Sequence, residues 1–196
     1  ILKRYTPVNR VTNMVFSLRY YRINYLKKPD EFLDPEHFYS DRNTFLASLG
    51  VNYIGYEQDR YIFRHQDIED IPIGKSVALI GGVQDNLGYR TPYLGGRLRY
   101  GDYFSFGYLA ADVQLGGFLT QEHNKQTTLR WEFTYFSPLF NIRQWHFRQF
   151  VKWRSVVGLS RKDYVKDRIS LNGSTGIIGF NSPTLTGIHK SILTLQ

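Results

Sequence analysis

The chain has 196 residues, no cysteine, a formal net charge of +8, and 15 Tyr and 14 Phe. Without cysteine it has no disulfide, no thiolate metal site and no cysteine nucleophile. No apolar run approaches the roughly 18 residues of a membrane-spanning helix, which excludes that helix but not a barrel, whose alternating strands escape a hydropathy average.

The opening Ile1-Leu2-Lys3-Arg4 carries no apolar leader core, as expected of a mature or excised segment. Val11 to Tyr25 reads as a strand with Met14, Phe16, Leu18 and Tyr20 on one face, and its phase slips at Tyr20-Tyr21, a bulge signature. Lys27 to Arg42 is polar, holds Pro29 and Pro35, and predicts a long loop. Asn43 to Tyr56 alternates again, and a turn at Gln58-Asp59 leads to Tyr61-Ile62-Phe63, then to an acidic patch ending in Ile71-Pro72-Ile73-Gly74. Ser76 to Gly82 and Tyr93 to Tyr100 are further strands, with Gly101-Asp102 a hairpin signal. Phe104 to Leu119 is long, and the tip Gln121 to Lys125 turns it into the clearest strand of all. There Thr127, Leu129, Trp131, Phe133 and Tyr135 alternate with Thr128, Arg130, Glu132 and Thr134. Ser137-Pro138 ends it. Trp145 to Val157 sets Trp145, Phe147, Val151 and Trp153 against His146, Arg148, Lys152 and Arg154; a polar loop from Ser160 to Thr184 precedes a last strand, His189 to Leu195.

No segment sustains a helical period and no linker divides the chain. The reading is all-β: an antiparallel meander of roughly nine strands joined by alternately short and long connections. Strands of this length, with aromatics near their ends at Tyr103, Phe104, Tyr135, Phe136, Trp145 and Phe147, favour part of a transmembrane β-barrel. A large soluble sandwich is the alternative. On the barrel reading Leu129, Trp131, Phe133 and Tyr135 face lipid. The candidate lumen-facing residues are Asp112, Arg130, Glu132, Arg148, Lys152 and Arg154.

Chemistry beyond this is sparse. His37, His65, His123, His146 and His189 lie far apart without metal-ligand spacing, and Asp67-Ile68-Glu69-Asp70 lacks the spaced ligands and turn glycine of a Ca²⁺ loop. No nucleophile elbow, phosphate-cradling loop or zinc-hydrolase signature is present, so neither enzyme nor cofactor is expected. The aromatics and cations of Trp145 to Val157 point to opposite faces, so bases could not stack where phosphates bind, and no nucleic-acid partner is expected.

One stretch carries a family resemblance. Asn172-Gly173-Ser174-Thr175-Gly176-Ile177-Ile178-Gly179-Phe180 resembles the conserved loop of the BamA-like superfamily of outer-membrane insertases and two-partner secretion translocators. Weaker similarity to the surface-antigen barrel of that superfamily runs through Glu69 to Gly74, Tyr100 to Leu109 and Phe147 to Phe150, so that it covers most of the chain from Asn43 onward. The resemblance implies a cell outer-membrane barrel that inserts or translocates proteins without covalent catalysis. Its implied partners are outer-membrane lipid, client outer-membrane or secreted proteins and accessory lipoproteins. It further implies that residues 1–196 are one β-barrel segment of a longer protein, with more strands after the loop, and that Gly176, Ile177, Ile178, Gly179 and Phe180 fold into the lumen. Where the family places Arg this chain has Ile178, which predicts apolar packing of the loop, shielded by wall side chains, in place of an ion pair with Asp112 or Glu132. The alternative function is a soluble or cell-surface β-sheet protein that binds an acidic ligand or glycan.

Overall fold

The computed structural model of the chain describes residues 11–35, 37–62, 67–120, 126–160, 168–172 and 176–196. The expectations placed on Ile1 to Arg4, Phe63, His65, the tip Gln121 to Lys125 (with His123) and Gly173 to Thr175 lie outside these residues. Eight strands form one antiparallel meander: β1 (Val11–Ile23), β2 (Arg42–Arg60), β3 (Ile68–Asn86), β4 (Tyr89–Phe104), β5 (Gly107–Phe118), β6 (Thr127–Phe136), β9 (Phe150–Leu159) and β12 (His189–Leu195). Each pairs with the next, and β1 and β12 form the two edges of the sheet. A small hairpin, β7 (Phe140–Ile142) with β8 (Trp145–Phe147), lies between β6 and β9, and β10 (Ile169–Ser170) pairs β11 (Thr186–Gly187) inside the last connection.

Several connections differ from the sequence expectation, each for a local reason. Gln58-Asp59 is no turn: it continues β2, where Gln58 pairs Asp70 and Asp59 pairs Glu69. Gly101-Asp102 likewise lies inside β4. The glycine serves packing there, because a Cβ on Gly101 would stand 2.8 Å from the Tyr108 hydroxyl, which reaches past it to the Pro72 carbonyl. The hairpin falls instead at Ser105-Phe106, and Leu87-Gly88 makes another between β3 and β4. Tyr20-Tyr21 holds no bulge: β1 pairs β2 residue for residue, which puts Tyr21 and Ile23 on the polar side. Trp145 to Val157 is broken at Arg148-Gln149, so Trp145 belongs to the hairpin and Phe150 opens β9 opposite Phe136.

The register sorts side chains into two contrasting faces. One face carries, row by row across β1 to β9, Met14, Val51, Val77, Leu98, Val113 and Trp131, and beside them Phe16, Leu49, Leu79, Leu115, Leu129 and Val157. Most of these are open to the surroundings, with Met14 73% and Leu79 65% exposed, while Val113, Leu129, Trp131 and Val157 are half-buried. The other face carries Ser17, Ser48, Asn52, Ser76, Arg97, Arg99, Asp112, Gln114, Arg130, Glu132, Lys152, Arg154 and Lys190. The sheet curls around this polar face. Arg148, two residues before β9, meets Asp59 on β2, although five strand spacings of roughly 4.8 Å separate these strands in a flat sheet, about 24 Å in all. No arginine side chain reaches that far.

The few buried apolar residues lie on the concave side at one rim: Ile62, Ile71, Ile73, Tyr108 and Phe136, with Tyr103, Ala110 and Phe150 packed against them. Gly74 makes room for this cluster. Its φ of +124° lies where only glycine is at ease, and a Cβ would sit 2.0 Å from the Tyr53 carbonyl oxygen. Before it Ile71 and Ile73 point inward; after it Ser76, Ala78 and Ile80 do, so the side-chain phase of β3 switches at that residue.

Candidate functional site

The concave face is the site, built by alternation in β4, β5, β6 and β9. In β4, Arg97 and Arg99 alternate with the outward Leu98 and Tyr100, so both guanidinium groups converge on Asp112 of β5. Arg97 binds the carboxylate through Nε (3.1 Å) and Nη2, Arg99 through Nε at 2.7 Å, and the Gln114 amide donates at 3.2 Å. Two cations on one carboxylate leave this group a surplus of positive charge. Directly opposite Asp112 on β6 stands Glu132, and Lys152 Nζ lies 2.8 Å from its carboxylate. Arg154 is the ladder partner of Glu132, and Arg130 sits beside Gln114. Two hollows of about 340 and 420 Å³ open on this face, and Arg97 and Arg130 line both.

Asp112, Arg130, Glu132, Lys152 and Arg154 thus share one face, as their parity predicts, in neighbouring rows of three strands. Arg148 stands apart from them. It lies beyond the end of β9 at the apolar rim, with its side chain only 4% exposed. There Nη1 and Nη2 bind the two Asp59 oxygens at 2.8 and 3.2 Å, the Tyr103 hydroxyl donates to Asp59 at 3.0 Å, and the guanidinium carbon lies 5.0 Å from the centre of the Phe136 ring. Sequence reasoning missed Asp59, Tyr103, Arg97 and Arg99. The two arginines had a legible signal, alternation with apolar residues in β4; Asp59 had only the weak alternation of Glu57 and Asp59 with Tyr56, Gln58 and Arg60.

The loop of the resemblance is a defined turn. Phe180 N–H donates to the Ile177 carbonyl at 3.1 Å and Gly179 has φ +79°, the hydrogen bond and dihedral of a type II turn with Ile178 at its first corner. Ile177 N–H is tied to the Leu171 carbonyl at 2.9 Å, and Gly176 passes so near that carbonyl that no Cβ would fit. The Asn172 amide closes the neck, donating to the Ser182 carbonyl and accepting its N–H at 3.0 and 2.9 Å. Ile178 is 93% exposed and Ile177 46%. The shielding expected of the wall is therefore not seen around these two residues. The turn is held by bonds within the connection itself, and its corner points Ile178 away from them. The acids expected to face it already have partners, Asp112 with Arg97 and Arg99, Glu132 with Lys152.

Among the described residues no three His, Asp or Glu side chains are grouped to hold a metal ion, and no helix is long and apolar enough to cross a membrane. No protein-family model, curated protein or solved structure matches the chain.

Proposed function

We propose that the chain is a segment of a bacterial outer-membrane β-barrel of the BamA-like kind, working in outer-membrane protein assembly or protein translocation without covalent catalysis. The observation that carries the reading is the inverted polarity of the sheet. The inside of its curve holds arginines, acids and amides in ion-paired rows, while the outside presents contiguous rows of Met, Phe, Leu, Val and Trp. A water-soluble sheet buries its apolar face and solvates the other; a membrane barrel does the reverse. Strand lengths support it, since β2 and β3 have 19 residues and β4 has 16, against the roughly 9–11 that a tilted strand needs to cross the hydrocarbon layer. So do the rings at the rim, where Phe104 stacks on Phe106 and Phe106 packs on Tyr135.

The finer reading, protein insertion, rests on the glycine turn Ile177 to Phe180 at the position of the family's loop. With Ile178 at its corner and both facing acids neutralised by the wall, this barrel works without a loop-to-wall ion pair. Fractionation and reconstitution test the two levels separately. The protein is expected in the outer-membrane fraction, released by detergent and not by high salt or alkali. Vesicles containing it should then speed the assembly of an unfolded outer-membrane barrel over empty vesicles. Recovery as a monomer in detergent-free buffer would overturn the barrel. Membrane residence without acceleration would overturn insertion alone.

A further inference from the structure

The hairpin β7–β8 carries a surface that the sheet does not use. Its register pairs Phe140 with Phe147 and Ile142 with Trp145 around the two-residue turn Arg143-Gln144. These four side chains therefore share one face, and Asn141 and His146 share the other. The polar face is committed. His146 Nδ1 lies 2.6 Å from the Asn141 amide oxygen, and its ring centre stands 5.5 Å from that of Tyr61, just past β2. The apolar face is open. Phe140 and Phe147 touch each other, yet Phe140 is 45% exposed, Phe147 49%, Ile142 58% and Trp145 78%. The hairpin is also pinned at its base. Ser137 N–H donates to the Gln149 carbonyl, Gln149 N–H donates to Ser137 Oγ, both at 3.0 Å, and Arg148 is locked onto Asp59.

Charge and position say what covers that face. Ser137 to Phe150 contains no acid, and Arg143 at the tip of the turn has no carboxylate within ion-pair distance among the described residues. The acids of this rim, Asp67, Glu69 and Asp70, belong to the β2–β3 pair, on the side that the polar face meets through Tyr61. The apolar face and the free cation thus stand together, away from negative charge. They also stand beside the aromatic end of the convex face: β7 opens four residues after Phe136, and Tyr135 packs on Phe106 there. Trp and Phe next to an arginine are the side chains that settle where lipid headgroups meet acyl chains, and an anionic surface draws the cation. We infer that the β7–β8 hairpin is a membrane-interface anchor, with Phe140, Ile142, Trp145 and Phe147 seated among the upper acyl chains and Arg143 among anionic phospholipid headgroups. The inference rests on the barrel reading for the presence of a membrane at this rim.

The test uses the full chain with vesicles of phosphatidylethanolamine and phosphatidylglycerol, with Trp145 left as its single tryptophan by Trp131→Phe and Trp153→Phe. Bromine carried just below the headgroups should quench Trp145 strongly, and bromine at mid-depth weakly. Exchanging phosphatidylglycerol for neutral phosphatidylcholine, or Arg143→Gln, should lower the shallow quenching by about half or more. Arg90→Gln, at the opposite rim, should leave it unchanged. Quenching of Trp145 by aqueous iodide and by neither bromine, while Trp131 and Trp153 are quenched at mid-depth, would overturn the anchor and leave the barrel standing. Shallow quenching of Trp145 without mid-depth quenching of the other two would uphold the anchor and overturn the barrel. Equal quenching in neutral vesicles would overturn the assignment to anionic headgroups. Shielding of Trp145 from iodide and from bromine at both depths would give the face to a protein partner, and would overturn the anchor.

Discussion

Arg148 grips Asp59 with both terminal nitrogens across a separation of 89 residues and five strand positions. Tyr103 donates to the same carboxylate, and the apolar cluster around Phe136 seals the pair. The contact ties β2 to the start of β9 across the inside of the curve at one rim. Removing one partner strands a buried charge, so Arg148→Met should cost about 3–5 kcal/mol. Asp59→Asn should cost less, since an amide oxygen still accepts from Arg148 and Tyr103. A double-mutant cycle on chemical unfolding checks this; additive losses would mean that the two side chains do not act as a pair.

Gly74 and Gly81 lie on the same strand and should differ sharply. An alanine at position 74 meets the Tyr53 carbonyl oxygen at 2.0 Å in a φ that side chains avoid, whereas a Cβ at position 81 meets nothing within 4 Å. Gly74→Ala should destabilise by about 2–4 kcal/mol, from backbone strain and overpacking together. Gly81→Ala should be close to neutral. Melting temperatures of the two variants settle the comparison, and equal shifts would deny the phase switch at Gly74 its structural role.

Phe133 and Thr134 are neighbours on opposite faces. Phe133 stacks near Trp153 with ring centres 5.7 Å apart on the apolar side, and Thr134 lines the polar hollow. A cation on a lipid-facing position near the membrane centre costs roughly 2–4 kcal/mol, so Phe133→Arg should sharply reduce the membrane-assembled fraction while Thr134→Arg leaves most of it intact. Protease protection of the assembled form in cells measures that fraction. Equal tolerance would count against lipid on the convex face.

The loop should tolerate the arginine carried there by the superfamily it resembles. Ile178 is exposed at a turn corner, and Asp112 and Glu132 are both engaged by other cations. Ile178→Arg is therefore expected to change stability by less than about 0.5 kcal/mol, as surface substitutions do. A cysteine at position 178 should react with a bulky thiol reagent nearly as fast as an unstructured peptide. Slow labelling would restore the shielded arrangement that the sequence suggested.

How far the sequence disclosed this structure depends on the kind of signal each part left. β6 and β12 were legible nearly to the residue, because side chains of one polarity hold one parity from Thr128 to Tyr135 and a polar connection precedes His189. The full lengths of β2 and β3 were hidden, since the phase change at Gly74 resembles the end of a strand and Asp59 resembles a turn residue. Parity also placed Asp112, Arg130, Glu132, Lys152 and Arg154 on one face, but not which cation takes which acid. That choice is made across strands, where Arg97 and Arg99 lie opposite Gln114 and Asp112. The Arg148–Asp59 pair left no local trace, for it exists only once the five strand spacings between β2 and β9 have curved.

The central claim is that lipid covers the convex face, and two of the chain's own tryptophans report on it. Trp131 and Trp153 lie on that face with ring centres 5.6 Å apart, and Trp145, on the rim hairpin, is removed as Trp145→Phe. In vesicles whose acyl chains carry bromine at mid-depth, the fluorescence of this variant should fall steeply, while aqueous iodide leaves it nearly unchanged. Strong quenching by iodide with none from the brominated chains would place the two rings in water or against protein, and would contradict the barrel.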